Sequence, residues 1–281
     1  MSVNFIIFAH YKYNDNDYYN DNCMSAPDIY KSNIIGPIHS RRLGISLGVN
    51  LLPADGKACS FDCVYCECGW NKDHRGGHMP DALEVIGELE AKLVQMSEKG
   101  EWLDVITFAG NGEPTLHPRF AEVIDETIRL RNQYFPEAKV SVLSNATRIG
   151  VPSVREALLK VDNNILKLDS AFDETVRLID QPVDPHYSVN NVVEGMKAFE
   201  GKCIVQTMFV RGSHEGVAFD NTVPAEVDAW CDLIRAIKPK QVMVYSLDRP
   251  TPEQELEKVS KEEMKTLVEP LVAEGYNVSI A

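Results

Sequence analysis

Four of the chain's seven cysteines fall within "KACSFDCVYCECGW", Lys57 to Trp70. Cys59, Cys63 and Cys66 are spaced Cys-x3-Cys-x2-Cys in a loop that follows a predicted strand. At that spacing a loop can turn three thiolates toward one metal centre. Soft thiolate ligands select zinc or iron–sulfur clusters, and a [4Fe–4S] cube held by three cysteines keeps its fourth iron free of protein ligands. That open iron would be the reactive position. The competing reading is a zinc site that adds Cys68, His74 or His78. Zinc ribbons, however, pair two Cys-x2-Cys knuckles a dozen or more residues apart, and no second knuckle occurs here. Cys68, two residues after Cys66, reads as a bystander or a substrate-side thiol.

Other groups able to do chemistry sit where predicted strands end. "FAGNGEPTLHP" places Gly110, Gly112, Glu113 and Pro114 in a glycine-rich turn before a helix, either a plain connection or a place where backbone approaches a ligand. "VLSNAT" ends the next strand with Ser144 and Asn145, which taken alone read as turn chemistry. "LKLDSAFD" sets Lys167 and Asp169 on one side of an extended segment. Inside a barrel, each of those charges needs a partner. Gln206 interrupts the apolar run "IVQTMFV" as a ligand contact or a satisfied core amide. "VYSLDRP" carries Asp248 and Arg249, and the planar fork of arginine suits carboxylate or phosphate recognition. His39, Arg41 and Arg42 form the densest basic group, for which a surface turn is the plain alternative.

These groups need a scaffold, and the hydrophobic pattern supplies one. From residue 43 onward, β-branched apolar runs alternate with segments of helical period, the signature of repeated βα units around a parallel sheet. Six strands are predicted, over Ile45–Leu52, Val105–Ala109, Lys139–Leu143, Asn164–Leu168, Cys203–Val210 and Gln241–Ser246, with a short closing strand at Tyr276–Ile280. Helices are predicted over Pro80–Glu98, Pro118–Gln133, Val154–Lys160, Val189–Phe199, Val223–Ile237 and Lys261–Ala273, with Pro80 and Pro118 in first turns. The pattern argues for an α/β barrel or open sheet, whose ligands gather at the carboxyl ends of the strands. No internal repeat or linker divides the chain, so residues 34–281 are expected to form a single domain.

At 281 residues with 44% hydrophobic and 25% charged residues, the chain can bury a large core. No apolar run approaches the roughly 18 residues of a membrane span. An odd number of unevenly placed cysteines fits poorly with a secreted disulfide framework, and a cytoplasmic location is expected. A net charge of −14 opposes a broad grip on nucleic acid. Residues 1–33 are expected to be a tail, disordered or partly ordered, with 1–23 a disordered or over-extended start.

The motifs together resemble a family. "CSFDCVYC" is similar to the cluster motif of the radical S-adenosylmethionine enzymes, with Tyr65 as the aromatic residue before the last cysteine. "GPIHSRRLGISLGVN", "GNGEPTLHP", "RLIDQP" and "YSLDRP" extend the likeness over about residues 34–250, toward the subgroup related to wyosine tRNA synthetases. The resemblance implies a partial (β/α)6 TIM-like barrel with a [4Fe–4S] cluster on Cys59, Cys63 and Cys66 at its C-terminal mouth. It implies S-adenosylmethionine contacts from Tyr65, Gly112, Glu113, Pro114, Ser144, Asn145 and Gln206. Asn111 stands where many members have the first glycine of a Gly-Gly-Glu-Pro turn. The implied activity is reductive cleavage of S-adenosylmethionine to a 5′-deoxyadenosyl radical that takes hydrogen from a substrate. The electron would come from a donor such as flavodoxin or ferredoxin, and Arg42, Lys167, Asp169, Asp248 and Arg249 would face the substrate. Wyosine-type tRNA modification, opposed by the acidic charge and by the lack of a second cysteine set, and activation of a glycyl-radical enzyme are the enzymatic alternatives. A non-enzymatic zinc or iron–sulfur module is the alternative of a different class.

Overall fold

The structure is a computed structural model that describes residues 29–40, 43–72 and 76–281. The expectations for residues 1–23 and for Cys23, Arg41, Arg42 and His74 lie outside the described residues.

An eight-stranded sheet runs in the order β1 (Ile34–Ser40), β2 (Gly44–Val49), β3 (Val105–Phe108), β4 (Lys139–Ser144), β5 (Asn163–Lys167), β6 (Ile204–Met208), β9 (Gln241–Tyr245), β11 (Val278–Ile280). All neighbours from β2 to β11 are parallel, and β1 pairs antiparallel with β2. Helices α1 (Ala82–Glu98), α2 (Phe120–Tyr134) and α3 (Pro152–Lys160) make the first three crossovers. The crossover from β5 to β6 carries both α4 (Asp173–Ile179) and α5 (Val189–Lys197), and α6 (Pro224–Ile237) and α7 (Lys261–Ala273) complete the set. Six βα units with β1 and β11 at the two edges make an open, partial barrel.

Alternation along the strands sets two layers, because successive side chains point to opposite faces. Leu47, Val49, Ile106, Phe108, Val140, Val142, Val205, Val242 and Val244 join the helices in the main core. Ile165, Ile204 and Met243 face inward with Leu43 and Leu143.

The boundaries of most expected elements match within two residues; β2 ends three residues short of the expected Leu52, and α4 was not expected. Pro80 and Pro118 stand outside their helices, one residue before the N-caps Asp81 and Arg119, and the Asp81 carboxylate accepts the Leu83 N–H at 2.8 Å. First-helical-position prolines are instead Pro152 and Pro224. The run Cys203–Val210 is divided, since β6 ends at Met208 and β7 (Val210–His214) pairs with β8 (Val217–Asp220) and β10 (Leu256–Lys258) in a separate three-stranded sheet. That sheet packs Val210, Phe219 and Leu256 against Val64 and Tyr65 of the cysteine loop.

A half-buried ion pair ties α2 to the strands. Arg131 donates to the Ala138 carbonyl at 2.5 Å and to Asp162 at 2.8 Å, and Asp162 also accepts the Val140 N–H at 2.9 Å. Burial works against the Asp162 charge, but the Val140 N–H and Arg131 together hold its carboxyl below the ordinary range. Asp162→Ala should therefore lower unfolding stability by about 1.5–3 kcal/mol at neutral pH, read by chemical denaturation. A depressed carboxyl contributes above its unfolded value, about 4, and loses that contribution as pH falls through the folded one, so the gap to wild type should narrow in acid.

Candidate metal centre

The cysteine loop lies between two segments and is hydrogen-bonded to both. On one side Ala58 and Gly112 form a parallel bridge, with Ala58 N–H donating to Asn111 O at 2.9 Å and Glu113 N–H to Ala58 O at 3.0 Å. On the other, Asp62 N–H donates to Asp180 O at 3.0 Å, Val64 N–H to Ile179 O at 2.9 Å, and Val183 N–H to Ser60 O at 2.9 Å. The "RLIDQP" segment is thus the opposite wall of the thiol loop. A Cβ on Gly112, whose φ is +133°, would lie 2.0 Å from the Ala58 carbonyl oxygen, so only glycine permits that approach.

Asn111 has a function of its own. Fully buried, it donates to Tyr30 O and Pro53 O, both at 2.8 Å, and accepts the Tyr30 N–H at 2.9 Å. An amide here fastens residue 30 and the start of the cysteine loop to the turn, which a second glycine could not do.

Glu113 joins the ends of β3 and β4. Its carboxylate accepts from Thr115 N–H at 3.1 Å, Thr115 Oγ1 at 2.5 Å, Ser144 Oγ at 2.9 Å and Asn145 N–H at 2.6 Å. Burial pushes its carboxyl up, against these donors. Asn145 in turn donates to Ser60 Oγ at 2.9 Å and lies 3.6 Å from Cys59 Sγ. Glu113, Ser144 and Asn145 therefore converge on the Cys59 side of the loop.

A second buried network stands on the Cys63 side. Lys167 Nζ lies 2.5 Å from Asp169 and 3.1 Å from Asp180, and 4.4 Å above the Tyr65 ring. The Tyr65 hydroxyl donates to Asp169 and to Asp180, and Asp169 accepts the Met208 N–H at 2.9 Å. Burial opposes the Lys167 charge, yet Asp169 and Asp180 drive its ammonium well above the usual range. Burial raises the Asp180 carboxyl to about 7, with Lys167 acting the other way. The expected pair Lys167–Asp169 is real, with Tyr65 and Asp180 as the partners that burial demands.

Asp248 and Arg249 are placed differently. Arg249 pairs with Glu67 at 2.7 Å and Asp248 with Lys258 at 3.0 Å, all on the exposed rim. Gln206 lines a cavity of about 130 Å³ inside the barrel, beside Thr107, Gly110, Leu143, Ile165 and Met243.

The thiols suit an all-thiolate centre. Burial raises Cys59 to about 12 and Cys63 well above its ordinary range, and each thiol feels the charge of the others. Cys66 is held down to about 6, first by a hydrogen bond from Cys68 and then, against burial, by Lys57. The buried Lys57 ammonium adds a positive charge that works toward the thiolate forms of Cys59 and Cys66, the sign that an anionic centre requires. Among the described residues no three His, Cys, Asp or Glu side chains are gathered as the ligands of a single ion. An iron–sulfur cube, which spreads its thiolates over several irons, imposes no such point-like gathering. His78, a candidate zinc ligand, is exposed.

With the geometry in place, comparison with known proteins defines the class. A model of the radical SAM superfamily matches residues 55–215, more than half the chain. The chain belongs to the radical SAM superfamily and is an enzyme of that class, whose cofactors are a [4Fe–4S] cluster and S-adenosylmethionine. It is 28% identical over 237 residues to a protein named GTPase Obg from Brachyspira hyodysenteriae, covering 83% of this chain and 32% of that protein. It is 27% identical over 222 residues to the UPF0026 protein of Helicobacter pylori, covering 78% of this chain and 67% of the relative. The chain therefore spans between a third and two thirds of these two relatives. No G-x4-G-K-[ST] loop occurs in the sequence, so the GTPase name is not transferred.

Among solved structures, Streptococcus suis SuiB bound to S-adenosylmethionine superposes with a TM-score of 0.59 at 15% identity, covering 83% of this chain and 50% of that one. TYW1 with a lysine-pyruvate adduct bound gives 0.55 at 14% identity, with 82% and 74% covered. These likenesses show the partial-barrel fold.

Sequence reasoning missed Lys57, Asp180 and the buried part of Cys68. Lys57 stood beside the motif without a spacing rule to mark it, and Asp180 lay inside the quoted "RLIDQP" without an assigned partner. Lys167→Met should strand two buried carboxylates and lower stability by about 3–5 kcal/mol, whereas Arg249→Ala, which breaks an exposed pair, should cost at most about 1 kcal/mol. Equilibrium denaturation of the two variants separates them.

Proposed function

We propose that residues 34–281 form one catalytic domain that holds the cluster on Cys59, Cys63 and Cys66 and acts on a substrate whose reacting portion is small and largely apolar. The observation that carries this reading is the thiol loop, hydrogen-bonded between the Gly110–Glu113 turn and residues 179–183 at the carboxyl ends of the strands. When bound, the cluster and S-adenosylmethionine supply a one-electron cleavage that yields a 5′-deoxyadenosyl radical.

The chain's own residues prepare the place for it. Gly112 lets the turn after β3 come close to the Ala58 backbone of the thiol loop, and Glu113 fixes the strand ends on which Ser144 and Asn145 stand. Lys167, Asp169, Asp180 and Tyr65 saturate one another, so they act on the site by fixing the Cys63 side of the loop. The inward cavity is lined mostly by apolar groups, with Tyr30, Ser40, Gln206 and the hydrogen-bonded pair Ser46–Thr107, 2.8 Å apart, as polar features. That lining favours a largely apolar portion that carries hydrogen-bonding groups.

With a net charge of −14, a small molecule or peptide is a better substrate than RNA. The exposed pairs of Arg249 with Glu67 and Asp248 with Lys258 support a role for both residues in meeting substrate at the rim rather than in the chemistry.

Anaerobically purified protein should be brown and, once reduced by dithionite, should release 5′-deoxyadenosine from S-adenosylmethionine, followed by chromatography. Cys63→Ala should abolish that release. Colourless protein carrying stoichiometric zinc would sink the proposal.

A further inference from the structure

Five polar side chains line the interior cavity among the described residues, and four of them are engaged within the protein. Ser46 and Thr107 bond each other at 2.8 Å, the Ser40 hydroxyl accepts the Leu43 N–H at 3.2 Å, and Tyr30 has an interaction of its own besides its backbone bonds to Asn111. The fifth is Gln206. It is 8% exposed, and among the described residues its side-chain amide has no hydrogen-bond partner. Buried amides without partners are rare, and an apolar side chain of similar size would fill this layer without that cost.

Strand pairing shows where the amide stands. Gln206 faces inward like Ile204, two residues away on β6, and lies in register between Lys167 of β5 and Met243 of β9. Neither neighbour satisfies it: the Lys167 ammonium is turned to Asp169 and Asp180, and Met243 is apolar. Met208, two residues further toward the mouth, is the residue on which Val64 and Tyr65 of the thiol loop pack. Gln206 therefore lies about 7 Å deeper in the barrel than that contact, at the rise of a β-strand. The same cavity touches Gly110, whose carbonyl is 3.5 Å from Cys68 Sγ. It thus joins the amide to the turn beside the thiol loop.

We infer that Gln206 is the recognition group of the interior cavity and pairs with an uncharged group that both donates and accepts, a carboxamide or lactam, on an apolar portion of the substrate. The inference rests on the cavity being the substrate site, as proposed above. A glutamine amide offers an N–H donor and a carbonyl acceptor side by side, so one carboxamide satisfies both. The described lining carries no charge, and a carboxylate or ammonium would enter at the cost of its solvation. Size follows from the volume. The cavity of about 130 Å³ is close to one of about 150 Å³ that holds benzene, which limits the buried portion to about six non-hydrogen atoms.

Three probes of that size share one shape: isobutyramide, isopropyl methyl ketone, which accepts without donating, and isobutyrate, which is charged. Their dissociation constants are measured by ligand-detected NMR on anaerobically purified wild type, Gln206→Leu and Gln206→Met. Wild type should bind isobutyramide about tenfold more tightly than the ketone, the scale of one buried hydrogen bond left unmade, and isobutyrate most weakly. Both variants should lose the preference for the amide and bind the ketone as wild type does.

Equal affinities of wild type for amide and ketone, no binding of the amide, tighter binding of isobutyrate, or a preference kept in the variants overturns the inference. If one variant does not fold, the other gives the comparison, and if neither folds the wild-type series decides. A missing preference in protein that cleaves S-adenosylmethionine leaves the function standing. Protein that shows the preference, lost in the variants, but neither loads a cluster nor cleaves S-adenosylmethionine overturns the function and keeps Gln206 as a ligand-binding group.

Discussion

The contact between the Ala58 carbonyl and the backbone at Gly112 is the constraint on which the site depends. Loops at the carboxyl ends of parallel strands leave the ladder and must find other partners for their N–H and C=O groups. Here the cysteine loop finds them in the turn after β3 and in the segment after α4. The first of these requires backbone within reach of backbone, and a Cβ 2.0 Å from a carbonyl oxygen rules out a side chain at Gly112. Once that approach is made, Glu113 follows in register, and its carboxylate collects donors from the end of β4. One backbone contact thus carries the position of the thiols from β3 to β4.

Charge is arranged locally against the global balance. The chain has a net charge of −14, and a thiolate-bound cluster adds to it. Exposed charges beyond about 8–10 Å are largely screened, whereas buried neighbours are not. The buried ammoniums of Lys57 and Lys167 therefore weigh more at the thiols than the acidic surface does. The two differ in how far they are neutralised. Lys167 faces two carboxylates that are themselves buried, while the Asp62 partner of Lys57 is 21% exposed and shares its oxygen with Asn71. More of the Lys57 charge is left for the sulfurs.

Much of this was legible in the sequence, for identifiable reasons. Parallel strands buried on both faces read as continuous apolar runs, and the strands from β2 to β6 and β9 were expected at nearly their observed bounds. The thiol spacing and the glycines beside Glu113 are local patterns and were visible as such. What the sequence hid is long-range or polar. The three-stranded sheet of β7, β8 and β10 joins residues from 210 to 258 across a whole helix, with Gly212 and His214 in a strand that has no clean alternation. Strand β1 was hidden by a basic turn and by Pro37. The partnerships of Lys57 with Gly69 and of Asp180 with Tyr65 cross 12 and 115 positions and follow no period.

That hidden sheet explains why a loop can hold its shape without being part of the barrel. Val64 and Tyr65 pack on Met208, Val210 and Phe219, and Trp70 stacks near His214 with ring centroids 5.3 Å apart. His214 is itself fixed by Glu253 at 2.8 Å, and the Glu253 N–H donates to Val64 O at 3.2 Å. The loop is therefore hydrogen-bonded on two sides by barrel turns and packed on a third by an inserted sheet. A polar rim built this way can be rigid while the barrel interior beneath it stays apolar, with Ile165, Leu143 and Met243 offering shape rather than charge. The hydrogen bonds that position the thiols and the apolar side chains that line the interior thus belong to different residues.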